Sequence, residues 1–267
     1  MTTTTSATGS AERWGPLWGA RPGDWAMNEE AQIPVYEEAI RRVGLRAGQR
    51  VLEVGSGTGY FLRLAADRGA SVVGLDASEA LIGLARARVH EAELHVGDMQ
   101  FLPFADDAFD VVAGFNSFFF AADMVAALRE AGRVARSGAP VVIQVWGHPD
   151  RCDLTAMKMA AQLLLPPPPD PNAPQPPGLW EPGVLEGLAE SAGLVAGSAF
   201  DVSCPLVYPD EETMLRGLLS PGIVVELVSL VGEEAVRTAF VEALTPFRAA
   251  DGSYRFDNEW HVLIAST

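Results

Sequence analysis

Lysine is almost absent from this sequence, in which Lys158 is the only one among 267 residues. Its 19 basic residues are outnumbered by 35 acidic residues, which gives a formal net charge of -16. A chain this acidic repels phosphate backbones and anionic lipid surfaces at long range. We therefore expect neither a nucleic acid nor a membrane as a partner, and we expect a small-molecule substrate.

Cysteines and long apolar runs are also scarce. Cys152 and Cys204 are the only cysteines. They form neither a Cys-x-x-Cys pair nor a Cys/His cluster, so we predict no disulfide framework and no metal site. No apolar run reaches the ~20 residues of a membrane-spanning helix, and the first residues lack the pattern of a secretory signal. We expect a reduced, cytoplasmic protein, with a Cys152–Cys204 disulfide as the alternative.

Strand and helix patterns alternate through the first half of the chain. Short apolar segments predict strands at residues 50–54, 71–75, 93–96, 109–115 and 140–146. Helical periodicity fills most of the intervals between them. Apolar strands that alternate with helices indicate an α/β fold, in which a parallel sheet is covered on both faces.

A glycine-rich turn follows the first of these strands, in the sequence Val-Leu-Glu-Val-Gly-Ser-Gly-Thr-Gly of residues 51–59. Glycine lets the backbone bend sharply and lets a ligand approach where a Cβ atom would collide. Asp76 ends the next strand, where its carboxylate can accept hydrogen bonds from both hydroxyls of a ribose. The pattern predicts a nucleoside-binding turn, with a tight turn that binds nothing as the alternative.

The spacing of the glycines separates two kinds of cofactor. Dinucleotide-binding turns usually read Gly-x-Gly-x-x-Gly and hold a pyrophosphate. This turn reads Gly-x-Gly-x-Gly, and Glu53 lies two residues before its first glycine. A carboxylate there suits a ligand that carries an ammonium group and no pyrophosphate, such as S-adenosylmethionine. A nicotinamide-dependent oxidoreductase is the less favoured interpretation.

The stretch from Val51 to Val145 resembles the class I S-adenosylmethionine-dependent methyltransferases, in the broad group that methylates small molecules. The matching pieces are residues 51–59, 74–78, 97–104, 109–115 and 127–134. The resemblance implies a Rossmann-like, seven-stranded methyltransferase sheet whose last strand is antiparallel. The pattern of residues 254–264 fits that last strand.

The resemblance also implies a set of cofactor-binding residues and S-adenosylhomocysteine as the product. Trp25 joins the set as part of an N-terminal lid, because an aromatic face suits a sulfonium cation; plain packing of that segment is the alternative. The set comprises Glu53, Gly55 and Gly57 for the methionine moiety, Asp76 for the ribose, Asp98 and Met99 for the adenine, Asn116 and Ser117 near the sulfonium, and the adjoining Ser56, Gly59, Ala77 and Trp25.

Methyl transfer requires alignment of the acceptor and exclusion of water, and it requires a base only for a weakly acidic acceptor. His148 is the candidate base, because it follows the fifth strand and histidine titrates near neutral pH; an ordinary loop histidine is the alternative. The candidate acceptor-binding residues are Tyr36, Phe118, Trp146, Met157, Leu218 and Ile223. For those in helices, packing within a hydrophobic core is the alternative.

These patterns divide the chain into six segments and predict one function. The segments are an N-terminal segment with a lid helix (1–44), the cofactor-binding α/β core (45–148), a Pro-rich cap insertion (149–178), a core helix and strand (179–204), a helical cap (205–252) and a final core strand (253–267). We expect a monomer or homodimer that methylates O, N or C of a small, largely apolar molecule. The alternatives are cyclisation, decarboxylation or hydroxylation with the same cofactor, and a non-catalytic binding protein.

Overall fold

A seven-stranded sheet organises the computed structural model, which describes residues 9–167, 170 and 175–267. Its strands are β1 (Arg50–Val54), β2 (Ser71–Asp76), β3 (Glu93–Val96), β4 (Val111–Phe115), β5 (Pro140–Trp146), β6 (Val195–Ser203) and β9 (Glu259–Ser266). They lie in the order β3-β2-β1-β4-β5-β9-β6. Strands β1 to β5 are parallel, and β9 is antiparallel to both β5 and β6. The predicted α/β sheet with an antiparallel last strand is confirmed.

The segment predicted as one final strand is two strands in the structure. Strand β8 (Tyr254–Phe256) pairs with β7 (Leu206–Tyr208) in a separate two-stranded sheet, and only β9 joins the main sheet. The chain bends between them at Asn258, which is 1 % exposed. Its amide donates to the Phe256 carbonyl, and its side-chain oxygen accepts from the Leu154 backbone N–H. Apolar alternation continues across this corner, so the sequence pattern does not show it.

Helices cover both faces of the sheet. One face packs against α3 (Ile33–Val43) and α4 (Tyr60–Ala66), and the other packs against α6 (Met124–Val134) and α8 (Val184–Ser191). Helix α5 (Glu79–Arg88) follows β2, and the Ser78 hydroxyl accepts a hydrogen bond from the Leu81 N–H at its start. This capping contact is typical of serine and fixes where the helix begins.

A third buried cluster lies apart from the sheet and forms the helical cap. It is built from α7 (Thr155–Leu163), α9 (Glu211–Leu218), α10 (Gly222–Val231), α11 (Glu233–Leu244), β7 and β8. The predicted Pro-rich connection between residues 166 and 177 lies largely outside the described residues. Among those described, no single helix is long and apolar enough to cross a membrane; α9 and α10 together reach that length, but they are bent by 97°.

Two N-terminal helices, here called the lid, lie between the sheet and the helical cap. They are α1 (Ala11–Trp18) and α2 (Pro22–Glu30). Helix α1 packs against α10, and α2 packs against α5 and α9. Ion pairs at the surface join the lid to the cap: Arg13 with Glu226 at 2.9 Å, Arg21 with Glu233 at 2.6 Å, and Asp24 with Arg216 at 2.6 Å. The lid therefore contacts both halves of the protein.

Candidate cofactor and acceptor site

The glycine turn connects β1 to α4 and takes a backbone shape that favours glycine. Gly55, Gly57 and Gly59 have φ angles of +74°, +52° and +84°. A Cβ atom at Gly55 would also overlap the Cβ atom of Ser117. The backbone N–H groups of Gly55 and Ser56 donate to the Leu75 carbonyl at 2.7 and 3.0 Å, which holds the turn against the end of β2. The predicted need for glycine at these positions follows directly from this geometry.

Asp76 lies at the end of β2 and is 8 % exposed. One carboxylate oxygen accepts from the Gly57 N–H at 2.9 Å, and the other accepts from the Ser78 N–H at 2.8 Å. Burial raises the pKa of Asp76, and these backbone N–H groups oppose that shift. Each carboxylate oxygen has a second lone pair, so Asp76 can hold the turn and still accept from a ligand.

Asp98 follows β3 and contacts the start of the lid. One of its oxygens accepts from the Ala11 N–H at 2.7 Å and lies 3.4 Å from the Ser10 hydroxyl. The other accepts from the Gln100 N–H at 2.8 Å. The residue that the sequence assigns to the adenine therefore also fixes the first turn of α1. This second contact was not predicted.

A cavity lies between the carboxyl ends of the strands and the lid. Most of the predicted cofactor residues line it: Trp25, Gly55, Gly57, Asp76, Ala77, Asp98, Met99, Asn116 and Ser117. The remaining three, Glu53, Ser56 and Gly59, are buried outside its lining. The structure thus brings residues from four strands and the lid to one place.

Aromatic rings form the lid side of this cavity. The rings of Trp18 and Trp25 meet edge to face with centroids 4.7 Å apart. Phe120 contacts Trp14 at 4.9 Å and Trp18 at 5.3 Å. Trp25 was predicted in the site from the sequence, but Trp14 and Trp18 were not. The three tryptophans within a short N-terminal stretch were the available signal.

Two further buried carboxylates lie around the glycine turn, Glu29 of α2 and Glu53 of β1. Burial raises the pKa of Glu29 to about 7, and two backbone N–H groups that it accepts from limit the shift. Burial raises the pKa of Glu53 well above its usual range, and the charges of Glu29 and Asp76 raise it further. One oxygen of Glu53 has no hydrogen-bond partner among the described residues. A cation bound at the turn would therefore favour the ionised form of both carboxyl groups.

Three side-chain amides meet beside the cavity, at the ends of β4 and β5. The Gln144 amide donates to the Gln32 side-chain oxygen at 3.0 Å, and the Asn116 amide lies 3.5 Å from the same oxygen. The side-chain oxygens of Gln144 and Asn116 have no partner among the described residues. Sequence analysis missed Gln32 and Gln144, although a glutamine within the apolar β5 was a visible signal.

His148, the candidate base, lies outside this cavity. Its side chain is 47 % exposed, and its Nδ1 accepts from the Asp150 N–H at 3.2 Å. The ring lies edge to face with Trp180 at 6.1 Å. The histidine thus caps the short 3-10 turn Pro149–Arg151, which directs its side chain along the surface.

We expect His148→Gln to change kcat/KM by less than about threefold, because a residue outside the cavity has no contact with the acceptor. Loss of a general base costs about 10²- to 10⁴-fold. Steady-state kinetics on the purified variant, once an acceptor is identified, distinguish these values. A loss of a hundredfold or more would restore His148 as the base.

The candidate acceptor residues do not share one pocket. The Tyr36 ring is buried against Phe115, with centroids 4.7 Å apart, and Phe118 is buried beside Gly114. Trp146 lies at the surface with its centroid 4.2 Å from that of Trp260. The remaining three belong to the cap: Leu218 is buried, Met157 is partly buried, and Ile223 is 57 % exposed. Periodicity cannot distinguish a cap core from a pocket, since both place apolar residues on one helix face.

Residues 52–143 match the family model described as a methyltransferase domain. This stretch of the chain is therefore similar to methyltransferase domains. The matched region includes the glycine turn, Asp76, Asp98 and Asn116, so the domain supplies most of the polar lining of the cavity. The lid and the helical cap lie outside the match. The resemblance predicted from the motifs is confirmed.

Similar proteins match about half of this chain. An uncharacterised protein of Mycobacterium tuberculosis is 36% identical over 129 residues, which cover 46% of this chain and 47% of that protein. A demethylmenaquinone methyltransferase of Renibacterium salmoninarum is 36% identical over 110 residues, or 41% of this chain and 46% of that enzyme. The chain thus spans about half the length of the curated relatives it matches. Beyond the methyltransferase domain, these relatives give no information about the cap.

Solved structures show the same fold over more of the chain. The crystal structure of the YcgJ protein of Bacillus subtilis superposes with a TM-score of 0.57 and covers 87% of this chain and 97% of that one. Sequence identity over this superposition is only 18%. The likeness therefore supports the architecture of sheet and helices and says nothing about the acceptor.

Proposed function

We propose that this chain transfers a methyl group from S-adenosylmethionine to a small, largely apolar organic molecule. The observation that supports this most strongly is the cavity, which joins a glycine turn, buried carboxylates and three tryptophans in one place. A cofactor with an adenosyl group and two positive charges fits each of these features. One of the relatives, by its name, methylates demethylmenaquinone.

The residues around the cavity fit the cofactor in chemistry. At Gly55 a side chain would overlap Ser117, so glycine lets the turn pack closely against the end of β4. The unpartnered oxygen of Glu53 offers an acceptor near the predicted ammonium position. When bound, S-adenosylmethionine supplies a methyl carbon activated by positive sulfur. Asp76 would hold the ribose and Asp98 the adenine, while the tryptophans exclude water.

The acceptor must become nucleophilic without deprotonation by a protein base. Among the described residues that line the cavity, the titratable side chains are Asp76 and Asp98, which we assign to the cofactor. Asn116 lines the cavity, and its uncharged amide can orient a neutral polar group of the acceptor by hydrogen bonds. We therefore favour an amine, or a hydroxyl or carbon acid that ionises readily, over an acceptor that needs a protein base.

A fluorescence titration tests the cofactor assignment, because Trp14, Trp18 and Trp25 surround the cavity. S-adenosylmethionine and S-adenosylhomocysteine should each change the tryptophan emission in a saturable way, and reduced nicotinamide dinucleotide should not. An unchanged emission, together with no heat of binding in calorimetry, would contradict the proposal.

Product mass separates methyl transfer from other reactions of the same cofactor. Methylation adds one CH₂ to the acceptor and converts S-adenosylmethionine to S-adenosylhomocysteine in equal amount. Cyclisation, decarboxylation or hydroxylation would leave the cofactor unconsumed. Candidate amines, phenols and quinols, incubated with the isotopically labelled methyl donor, provide the measurement.

A further inference from the structure

Glu29 lies where the lid meets the glycine turn, outside the matched methyltransferase domain and outside the predicted site. We propose that Glu29 is a positioning residue that also makes the site prefer the cationic cofactor over its less charged product. This inference rests on the proposed function, since it concerns the same cofactor. Three observations carry it: the contacts of the carboxylate, the excess of carboxyl groups over guanidinium groups around it, and the charges of the two ligands.

The carboxylate of Glu29 fastens the lid to the turn. Its oxygens accept from the Thr58 N–H at 2.8 Å and from the Tyr60 N–H at 3.3 Å. A Cβ atom at Gly57 would lie 2.6 Å from the nearer oxygen, so Glu29 packs directly against a cavity-lining residue. Trp25, on the same helix, also lines the cavity. One buried side chain, 3 % exposed, therefore ties the helix that carries Trp25 to the glycine turn.

Carboxyl groups outnumber guanidinium groups around Glu29. Glu53 and Asp76 are buried in the same region, and Arg88 is the guanidinium that opposes the charge of Glu29. Arg88 is already hydrogen-bonded to the carbonyl and hydroxyl of Thr58. The buried or partly buried groups around Glu29 are Arg88 (α5), Glu53 (β1) and the phenols of Tyr36 (α3) and Tyr60 (α4). At the surface nearby lie Glu30, on the same helix as Glu29, and Arg216 (α9), which pairs with Asp24.

One oxygen of Glu53 has no hydrogen-bond partner among the described residues, and burial, together with the charges of Glu29 and Asp76, raises the pKa of Glu53. When these carboxyl groups are ionised they repel one another, and a cation placed among them relieves that repulsion and favours their ionised forms. S-adenosylmethionine carries an ammonium, a sulfonium and a carboxylate, for a net charge of +1. S-adenosylhomocysteine has lost the sulfonium charge and is neutral overall. The site therefore favours the cofactor before the reaction and releases the product after it.

Glu29 makes this preference dependent on pH. Since its pKa is about 7, Glu29 is partly protonated at neutral pH. Only the ionised form attracts a cation, so binding of S-adenosylmethionine must release a proton in the range where Glu29 is still protonated. Affinity for the cofactor therefore rises from about pH 6 to about pH 8. Affinity for S-adenosylhomocysteine changes less with pH, because this compound carries no net positive charge.

The experiment compares Glu29→Gln with wild type and with Glu30→Gln. The control removes a neighbouring carboxylate on the same helix, which is exposed and accepts from the Tyr60 hydroxyl at 3.0 Å. Dissociation constants for both compounds are measured by calorimetry at pH 6, 7 and 8. At pH 8 we expect Glu29→Gln to weaken S-adenosylmethionine binding roughly tenfold and S-adenosylhomocysteine binding less than about threefold. The pH dependence should disappear in Glu29→Gln and persist in Glu30→Gln.

Thermal unfolding separates this role from a purely structural one. A buried ionised carboxylate opposes folding, so at pH 8 the ligand-free Glu29→Gln protein should unfold at the same temperature as wild type or higher. Glu29→Asp, which keeps the charge on a shorter side chain, should weaken the binding of both compounds and keep the pH dependence of S-adenosylmethionine binding. It also provides the comparison if Glu29→Gln does not fold.

Two results would overturn the inference, and they differ from failure of the proposed function. Equal losses for both compounds in Glu29→Gln would leave Glu29 with only a structural role. A pH dependence of S-adenosylmethionine binding that survives in Glu29→Gln would do the same. If the wild-type protein binds neither compound, the proposed function fails and this inference with it.

Discussion

Replacing Asp76 with alanine should weaken S-adenosylmethionine binding about ten- to a hundredfold. The side chain is buried at the end of β2 and holds the glycine turn through the Gly57 N–H. Loss of a hydrogen bond to a charged group costs about 1.5–3 kcal/mol. The variant loses both the assigned contact with the ribose and the hydrogen bond that holds the glycine turn. Calorimetric titration of the variant gives the change in dissociation constant directly. Unchanged affinity would contradict the assignment of the ribose to Asp76.

Asp123→Ala is the matched control for this measurement. Asp123 also places a carboxylate oxygen on a backbone N–H, that of Ala126, at 3.0 Å. It caps the start of α6 and does not line the cavity. We expect about 1 kcal/mol of lost stability from this cap and no change in cofactor affinity. A comparable loss of affinity in both variants would indicate a general effect on folding.

Replacing Gly55 with alanine should abolish detectable cofactor binding and lower the free energy of unfolding by more than backbone strain alone. The φ angle of +74° costs a residue with a Cβ atom about 1–2 kcal/mol. The added methyl group must also displace Ser117, whose hydroxyl donates to the Val54 carbonyl at 2.7 Å. Urea unfolding measures the stability, and the tryptophan titration measures binding.

Gly48→Ala separates the effect of backbone strain from the effect of the overlap with Ser117. Gly48 has a φ angle of +82°, and a Cβ atom there would meet nothing within 4 Å. This variant should lose about 1–2 kcal/mol of stability and bind the cofactor normally. If Gly55→Ala and Gly48→Ala give the same stability and the same cofactor binding, the close packing of the turn against Ser117 does not contribute to either.

The sheet and the cofactor residues could be predicted because their signals are local. Glycine spacing, the acidic residue that ends the next strand and the alternation of strands with helices all fall within short windows of sequence. The sheet order then follows from the fold family, and the carboxyl ends of parallel strands meet at one edge. Asp76, Asn116 and Ser117 line the cavity for this reason.

The residues that were missed depend on contacts between distant parts of the chain. Gln32 and Gln144 are 112 positions apart, and Glu29 and Thr58 are 29 positions apart. Each lies in an element whose pattern is otherwise ordinary, so nothing local marks it. The position of His148 after β5 was predicted correctly, but the following turn directs its side chain. Local turn geometry of this kind is not encoded in hydrophobic periodicity.

The position of β9 bears on how a nascent chain can fold as it leaves the ribosome. Among the strands that the structure describes, β6 pairs only with β9 in the main sheet, and β9 also pairs with β5. Until β9 has been synthesised, both β5 and β6 present unpaired backbone edges, which are prone to aggregation. Pairings as distant in sequence as Val141 with Ala265 also form slowly. Production in cells should therefore respond strongly to chaperone capacity.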